Sequence, residues 1–305
     1  MRSVVAIGVF DGLHVGHRAI IQEALGRARA HGDRTQVLSF DPHPDLVLQP
    51  SFSAVAPLTP IPEKRRRLLE MGADELIVLP FTRELASLTP EEFLDRHVMP
   101  HAPRALAVGE NFALGRGRAG NVPRLKALGA TIGFEVVPVP LVMQGGEPVS
   151  STRIRARLAE GKVADAALLL GRRYDIEGRV VHGEGVGREL GFPTANLRLD
   201  EDKLIPADGI YATWVRIEGE ERTRAGALCI GVRPTFGGQV RVIEVHVLDL
   251  ARDLYGARIQ VEFVEWLRPE ERFENAAALS VAIGRDVAEV RRRLGPALPA
   301  GWPGC

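Results

Sequence analysis

Through about residue 145 the chain alternates short, nearly continuous apolar runs with longer stretches whose apolar residues recur at helical spacing. The runs "VVAIGVF", "TQVLSF", "ELIVLPF", "RALAVG" and "FEVVPV" are strand-sized and carry few polar positions. Between them, "HRAIIQEALGRARAHG", "PEKRRRLLEMG" and "TPEEFLDRHV" read as amphipathic helices. The last has Thr89 as its N-cap and Pro90 at the first helical position. Strands apolar throughout, alternating with helices, imply a parallel sheet covered on both faces. The first half is therefore expected to be a Rossmann-like, doubly wound α/β domain.

Near Tyr174 the rhythm changes. "YDIEGRVVHG", "GIYATWVRIEG", "TRAGALCIG", "VRVIEVHVLDL" and "ARIQVEFVEW" read as strands joined by Gly, Pro and Asp turns. Several alternate apolar with polar residues, as half-buried antiparallel strands do. Closing them into a small β-barrel would hide their edges. "ENAAALSVAIGRDVAEVRRRL" predicts a C-terminal helix, and "TRIRARLAEGKVADAALLLGRR" predicts two helices that act as the hinge between the halves. The expected domains are residues 1–170 and 171–305, with "PALPAGWPGC" a frayed tail.

Composition narrows the function classes. A chain of 305 residues, 45% hydrophobic and 26% charged, suits two globular domains with real cores. Its 39 basic residues, only four of them Lys, balance 39 acidic ones, so no charge excess points to nucleic acid or a membrane surface. No run approaches a membrane span, and the first apolar run is too short and too quickly broken for a secretion signal. Cys229 and Cys305 lie far apart, with neither metal-type spacing nor a disulfide framework. The expectation is a cytoplasmic protein that handles small molecules, with no nucleic-acid or membrane partner; a weak homo-oligomer stays open.

"GVFDGLHVGH", residues 8 to 17, falls at the first strand–helix turn, where open parallel sheets bind their ligands. Gly8, Gly12 and Gly16 allow close backbone approach, and the following helix aims its N-terminus at the same spot. His14 and His17 enter that helix three residues apart, placed to donate hydrogen bonds to phosphate oxygens. Such a site orients a triphosphate without a catalytic base. The blander reading is that the imidazoles cap a helix or ligate a metal. Capping explains one histidine better than two among three glycines, and beyond His43 no third ligand is evident. "SSTRIR", residues 150 to 155, adds hydroxyls that would serve as N-caps and guanidinium forks suited to phosphate.

"GRVVHGEGVGRELGFPTANL", residues 178 to 197, is the richest stretch of the second half. Gly183, Gly185, Gly187 and Gly191 make a loop able to fold over phosphates, but the GK[ST] ending of a Walker loop is missing. On their own these glycines fit a structural hairpin better. Thr194 and Asn196 then offer two hard oxygen donors on one side of an extended chain, the kind Mg²⁺ takes beside ATP phosphates. A kinase acting on an alcohol needs a carboxylate near the hydroxyl. Alternation sets Glu244 on the face of Val242 and His246, opposite Ile243, Val245 and Val247. Many a barrel glutamate simply faces solvent, so periodicity alone leaves Glu244 a candidate.

"GVFDGLHVGH", "SFDPHP", "VGENFALGRGRAG" and "SSTRIR", in that order, resemble the HxGH nucleotidyltransferase superfamily, and specifically the adenylyltransferase half of bacterial bifunctional riboflavin kinase/FAD synthetases. "GRELGFPTANL", "GIYATWV", "IGVRPTFGG", "EVHVLDL" and "DLYGARIQVEFVEWLRPEERF" resemble the riboflavin kinase module, so the likeness runs to about Leu294. It implies that riboflavin is phosphorylated to FMN and that FMN is adenylylated to FAD with release of pyrophosphate, both with ATP and Mg²⁺. It implies ATP contacts from Gly8, Phe10, His14, Gly16 and His17, assisted by Ser151, Thr152 and Arg155, with Asn111 near the flavin. In the second half it implies ATP contacts from Gly183, Gly185, Gly187 and Thr194. Thr194 and Asn196 would hold the metal–ATP complex, and Glu244 would be the catalytic base. The chain departs from the family pattern at Ala113 and Leu114, where a basic residue and Phe are more usual, and at Cys229, where Asn is. Two rival readings are a monofunctional riboflavin kinase with an impaired adenylyltransferase half, and a flavin-responsive binding protein without turnover. A pure binder has no need of the base or the metal ligands.

Overall fold

The five near-continuous apolar runs become one parallel sheet. Its strands are β1 (Ser3–Ile7), β2 (Arg34–Asp41), β3 (Glu75–Pro80), β4 (Pro103–Gly109) and β5 (Glu135–Val139). Their order is β3-β2-β1-β4-β5, with every neighbouring pair parallel. Residues Val4 to Ile7 of β1 are at most 1% exposed, as a strand covered on both sides must be. The pleat divides them between two cores. Val5 and Ile7 join Phe93, Leu94 and Leu125 on one face. Val4 and Ala6 join Ile21, Ala24, Ala28 and Leu68 on the other. The helices supplying these residues are α1 (Val15–His31), α2 (Ile61–Glu70), α3 (Pro90–His97) and α4 (Val122–Ile132).

The start of α3 is set locally. Thr89 Oγ accepts from the Glu92 amide at 3.2 Å while the Glu92 carboxylate accepts from the Thr89 amide at 2.8 Å, with Pro90 at the first helical position. Helix α4 has no such clear signal. Gly129 lies in its middle, and packing explains it, because a Cβ there would lie 2.6 Å from the Phe134 carbonyl oxygen.

The computed structural model describes residues 1–49, 56–183, 185–235 and 238–295. It divides into two units, Met1–Ser151 and Thr152–Cys305. After α5 (Ser151–Ala159) and α6 (Val163–Leu170) come six strands: β6 (Asp175–Val181), β7 (Ala195–Leu199), β8 (Gly209–Ile217), β9 (Arg224–Thr235), β10 (Gly238–Val247) and β11 (Arg258–Arg268). They close an antiparallel barrel in the order β6-β7-β10-β9-β8-β11, with Asp175 pairing Glu262 at the seam. Closure leaves no strand edge to cover.

Tyr174, Tyr211 and Phe263 are completely buried, Tyr211 standing edge-on to Phe263 at 5.1 Å. Each tyrosine satisfies its hydroxyl on backbone, Tyr174 donating to Leu204 at 2.6 Å and Tyr211 to Ala207 at 2.5 Å. Burial pushes the Tyr211 phenol well above its usual range. The C-terminal helix, α7 (Ala276–Leu294), sets Val290 among Ala212, Trp214, Ala225 and Ala227. Its Asp286 accepts a bidentate pair from Arg268 at 2.8 and 2.7 Å.

The sequence set the domain boundary after residue 170, whereas the chain contacts divide after Ser151. The difference comes from α5 and α6, which dock on the barrel. The Ala207 amide donates to Leu158 O at 2.9 Å, α6 lies on β11, and the turn between the helices abuts Trp266 at Gly161. Among the described residues no helix is long and apolar enough to cross a membrane. "PALPAGWPGC", with Cys305, lies outside the described residues.

Candidate functional site

The strand order reverses between β1 and β4, so the crevice at their carboxyl ends is where such a sheet binds a ligand. Gly8 makes the last ladder bond of β1, its amide donating to Leu38 O at 3.1 Å. The chain then turns sharply, with Phe10 at φ 50° and Leu13 at φ 44°, a left-handed region that non-glycine residues seldom enter. Asp11 is 3% exposed and anchors the turn, its carboxylate accepting from the amides of Leu58 at 3.2 Å and Thr59 at 3.0 Å. Ser151 Oγ donates to the Asp11 carbonyl at 2.8 Å. No local pattern singles out Asp11; its partners at Leu58 and Thr59 are distant in the chain.

His14 is the N-cap of α1, and its Nδ1 accepts from the His17 amide at 3.3 Å. A neutral imidazole that accepts at Nδ1 carries its proton on Nε2, which makes Nε2 the donor. Capping and anion binding therefore use different nitrogens of one ring, and the two readings of His14 are compatible. The His17 ring stacks on His14 at 3.5 Å and 19°, just inside the first turn with Gly16. Phe10 closes the stack edge-on at 5.3 Å. At 1% exposure the Phe10 side chain belongs to the core, so it reaches a nucleotide only through its backbone.

Asn111 is exposed two residues past β4, its carbonyl accepting from Arg118 at 3.1 Å. It therefore shares the carboxyl edge of the β1–β4 pair with the histidine turn. Ala113 and Leu114 form a short strand paired with Gly120–Asn121. Thr152 and Arg155 lie on α5, in the second unit. His43 caps a short helix, Pro44–Leu48, by accepting from the Asp45 amide at 3.2 Å. Among the described residues no group of three or more His, Cys, Asp or Glu is placed to hold a metal ion.

In the barrel unit a cleft is lined by Gly183, Gly185, Arg188, Thr194, Asn196 and Tyr255, among others. Gly187 follows in the single helical turn Val186–Glu189. Thr194 and Asn196 are half-buried and alternate with the buried Ala195 and Leu197, so both donors do share a face. Across the ladder Asn196 pairs with Glu244, and Glu244 pairs on its other side with Cys229. Residues so paired have Cβ atoms roughly 4.5–5.5 Å apart. Glu244 is half-buried along with Val242 and His246, while Ile243, Val245 and Val247 are buried. The glutamate thus sits on the outer face of the barrel, as alternation requires.

In the sequence His246 only marks the face of Glu244. In the structure its Nδ1 donates to the Pro193 carbonyl at 2.8 Å, and Phe192 meets its ring edge-on at 5.7 Å. It thereby pins the segment that presents Thr194. At the rim, His182 lies against Tyr255 at 3.8 Å, and Arg188 reaches both the Tyr255 ring and Asp253. A Cβ at Gly183 would lie 2.1 Å from Asn196 Nδ2, so a side chain there would fill the space the amide occupies. The cradle thus keeps two neutral, hard oxygen donors beside a glycine loop. That donor set suits a hard cation already carried by phosphates.

An FAD synthetase family model matches residues 1–153, and a riboflavin kinase family model matches residues 170–294. The chain is 40% identical over 298 residues to the bifunctional riboflavin kinase/FMN adenylyltransferase of Escherichia coli strain K12, covering 97% of this chain and 94% of that one. It is 36% identical over 292 residues to the protein of the same description from Listeria monocytogenes, covering 95% and 92%. A solved structure described as a macrolide-efflux protein from Streptococcus pneumoniae superposes with a TM-score of 0.88 at 31% identity, covering 95% of this chain and 94% of that one.

Proposed function

The chain belongs to the bifunctional riboflavin kinase/FMN adenylyltransferase family, and we propose that it runs the two reactions at separate sites, the barrel cleft and the turn after β1. It phosphorylates riboflavin to FMN with ATP, and it adenylylates FMN to FAD with release of pyrophosphate. The observation that supports the division is that each unit brings together its own set of the expected site residues. One is the glycine loop with Thr194, Asn196 and Glu244; the other is the stacked His14–His17 pair at a helix N-terminus.

At the barrel, Glu244 takes the proton of the ribityl 5′-hydroxyl as that oxygen bonds to the γ-phosphorus and the bond to the ADP oxygen breaks. Such a base contributes about 10²- to 10⁴-fold. Gly183, Gly185 and Gly187 approach the phosphates through backbone. Thr194 Oγ and the Asn196 amide oxygen would hold the ATP-bound cation, which we assign as Mg²⁺. When bound, the ion neutralises charge on the transferring phosphates.

At the turn after β1, an FMN phosphate oxygen bonds to the α-phosphorus of ATP and the bond to the pyrophosphate oxygen breaks. The nucleophile is already an anion, so no base is required. His14 and His17, with the helix N-terminus and the backbone at Gly8 and Gly16, hold the charge that passes to pyrophosphate. Ser151, whose hydroxyl already bonds to the Asp11 carbonyl, assists at the phosphates, and Asn111 contacts the flavin. The partners are riboflavin, FMN and ATP.

Incubating the protein with riboflavin, ATP and Mg²⁺ and separating the flavins by chromatography tests the reading. FMN should appear first and FAD after it, and EDTA should stop both. FMN without FAD would leave a monofunctional kinase. Flavin binding without ATP consumption would leave a binding protein.

A further inference from the structure

Lys64 places a cation in the core-facing stripe of α2. It is 3% exposed and lies one turn before the fully buried Leu68. An ammonium is costly to bury, and a hydrocarbon of similar shape often serves stability as well or better. This one is aimed at a single place. Its Nζ donates to the Val9 carbonyl at 2.8 Å and to Ser39 Oγ at 3.3 Å, and Ser39 Oγ donates to that same carbonyl at 2.8 Å. Both lone pairs of Val9 O are thereby filled by side chains of other elements.

Val9 is where the chain leaves the sheet. Gly8 still bonds to β2, and the next residue, Phe10, is already left-handed. A non-glycine residue stays in that region only where its surroundings over-determine it. The carboxylates of Asp11 and Asp41 favour the charged ammonium, opposing the burial that pulls its pKa down. Asp11 lies in the turn itself, so Lys64 and the turn are tied by charge as well as by hydrogen bonds.

We propose that Lys64 is a positioning residue for adenylyl transfer: by holding the Val9 carbonyl it fixes the turn that carries His14 and His17. This rests on the reading of that turn as the ATP site. The side chain itself touches neither nucleotide nor flavin.

The full-length chain is the material for the test: its riboflavin kinase reaction reports the amount of intact chain, and far-UV circular dichroism with urea unfolding reports whether the first unit, which carries Lys64, is folded. Misplacing a reacting group by about 1 Å can cost on the order of 10²-fold, so Lys64→Met should lower kcat for FMN adenylylation by about that much. KM for FMN should stay within about twofold, since no binding contact is removed. FMN formation from riboflavin should be unchanged. Lys64→Arg keeps a cation and its donors and should recover roughly tenfold of the loss. A Lys64→Met enzyme with wild-type kcat for FAD formation would overturn the inference, whatever its melting temperature.

If Lys64→Met does not fold, Lys64→Gln and Lys64→Arg take its place. FAD formation should then fall in the order wild type, Arg, Gln at constant FMN formation, and equal rates would overturn the inference. His17→Ala, run alongside, separates the two claims. If only His17→Ala is impaired, the Lys64 inference falls by itself. If His17→Ala and the Lys64 variants all make FAD normally, the phosphate reading of the turn falls with it.

Discussion

Asn196 and Glu244 stand directly opposite each other on β7 and β10, so an amide suited to a metal–ATP complex and a carboxylate suited to take a hydroxyl proton share one face of the barrel. The pairing brings a neutral oxygen donor and a carboxylate to adjacent positions, both half-buried. In the other unit the stacked imidazoles of His14 and His17 provide donors but no carboxylate base, which matches a nucleophile that arrives already charged.

Glu244→Gln keeps the shape of the side chain and removes its capacity to accept the proton. FMN formation from riboflavin should fall by about 10²- to 10⁴-fold. Supplied FMN should still become FAD at the wild-type rate. Loss of both reactions in folded protein would rule out two independent sites.

His17→Ala should produce the opposite pattern. Removing one preorganised donor from an electrostatic site costs on the order of 10²-fold or more in kcat. FMN should accumulate from riboflavin while FAD does not. Following both products over time in the same reaction is sufficient, and FAD formation at the wild-type rate would remove His17 from the site.

The docking of α5 and α6 on the barrel sets where the chain can be cut. A fragment beginning at Thr152 should fold and make FMN. One beginning at Arg172 loses the Leu158–Ala207 hydrogen bond and the buried Val163, Leu169 and Leu170. Each fully buried aliphatic side chain is worth about 1.5–3 kcal/mol, so the shorter fragment should be less stable by several kcal/mol. Urea unfolding of both fragments checks this. Equal midpoints would place the functional boundary after the helices instead.

Glu262 gives the barrel a pH signature. Its burial, and secondarily the neighbouring Asp175 carboxylate, raise its pKa above the usual carboxylate range against the opposing charges of Arg173 and Arg216. A carboxyl whose folded pKa is raised binds its proton more tightly in the folded state. That contribution is present in full below about pH 4.5 and is lost as pH rises through the folded value. The melting temperature of the wild type, relative to Glu262→Gln, should therefore be highest in acid and fall toward neutral pH. A difference independent of pH would show that Glu262 is not shifted.

Much of this protein is written in local patterns. The order of strands and helices in the first unit follows from apolar runs separated by helical repeats, because periods of two and 3.6 residues are properties of a short stretch of backbone. The N-cap at Thr89 with Pro90 after it, and the face that Glu244 shares with Val242 and His246, are equally local, and both lie where the pattern put them. The histidine turn was legible because a strand, a glycine-rich turn and a helix are consecutive in the chain. Helix α4 was not among the helices read from the sequence, and the need for glycine at 129 is set by the approach of Phe134.

What the tertiary structure decided are the relationships between distant segments. That Asn196 faces Glu244, that Phe10 is buried behind His17, and that α5 and α6 side with the barrel all depend on register and docking. Lys64 is the sharpest case. In sequence it is one more cation in "PEKRRRLLE", and only its place in the stripe with Leu68 hints at burial. Its partners, Val9 and Ser39, come from two other strands' ends, and no local rule connects them. A side chain's conformation is limited by its neighbours in the chain, but its partners are set by which surfaces the whole fold brings together, and that depends on every packed element at once.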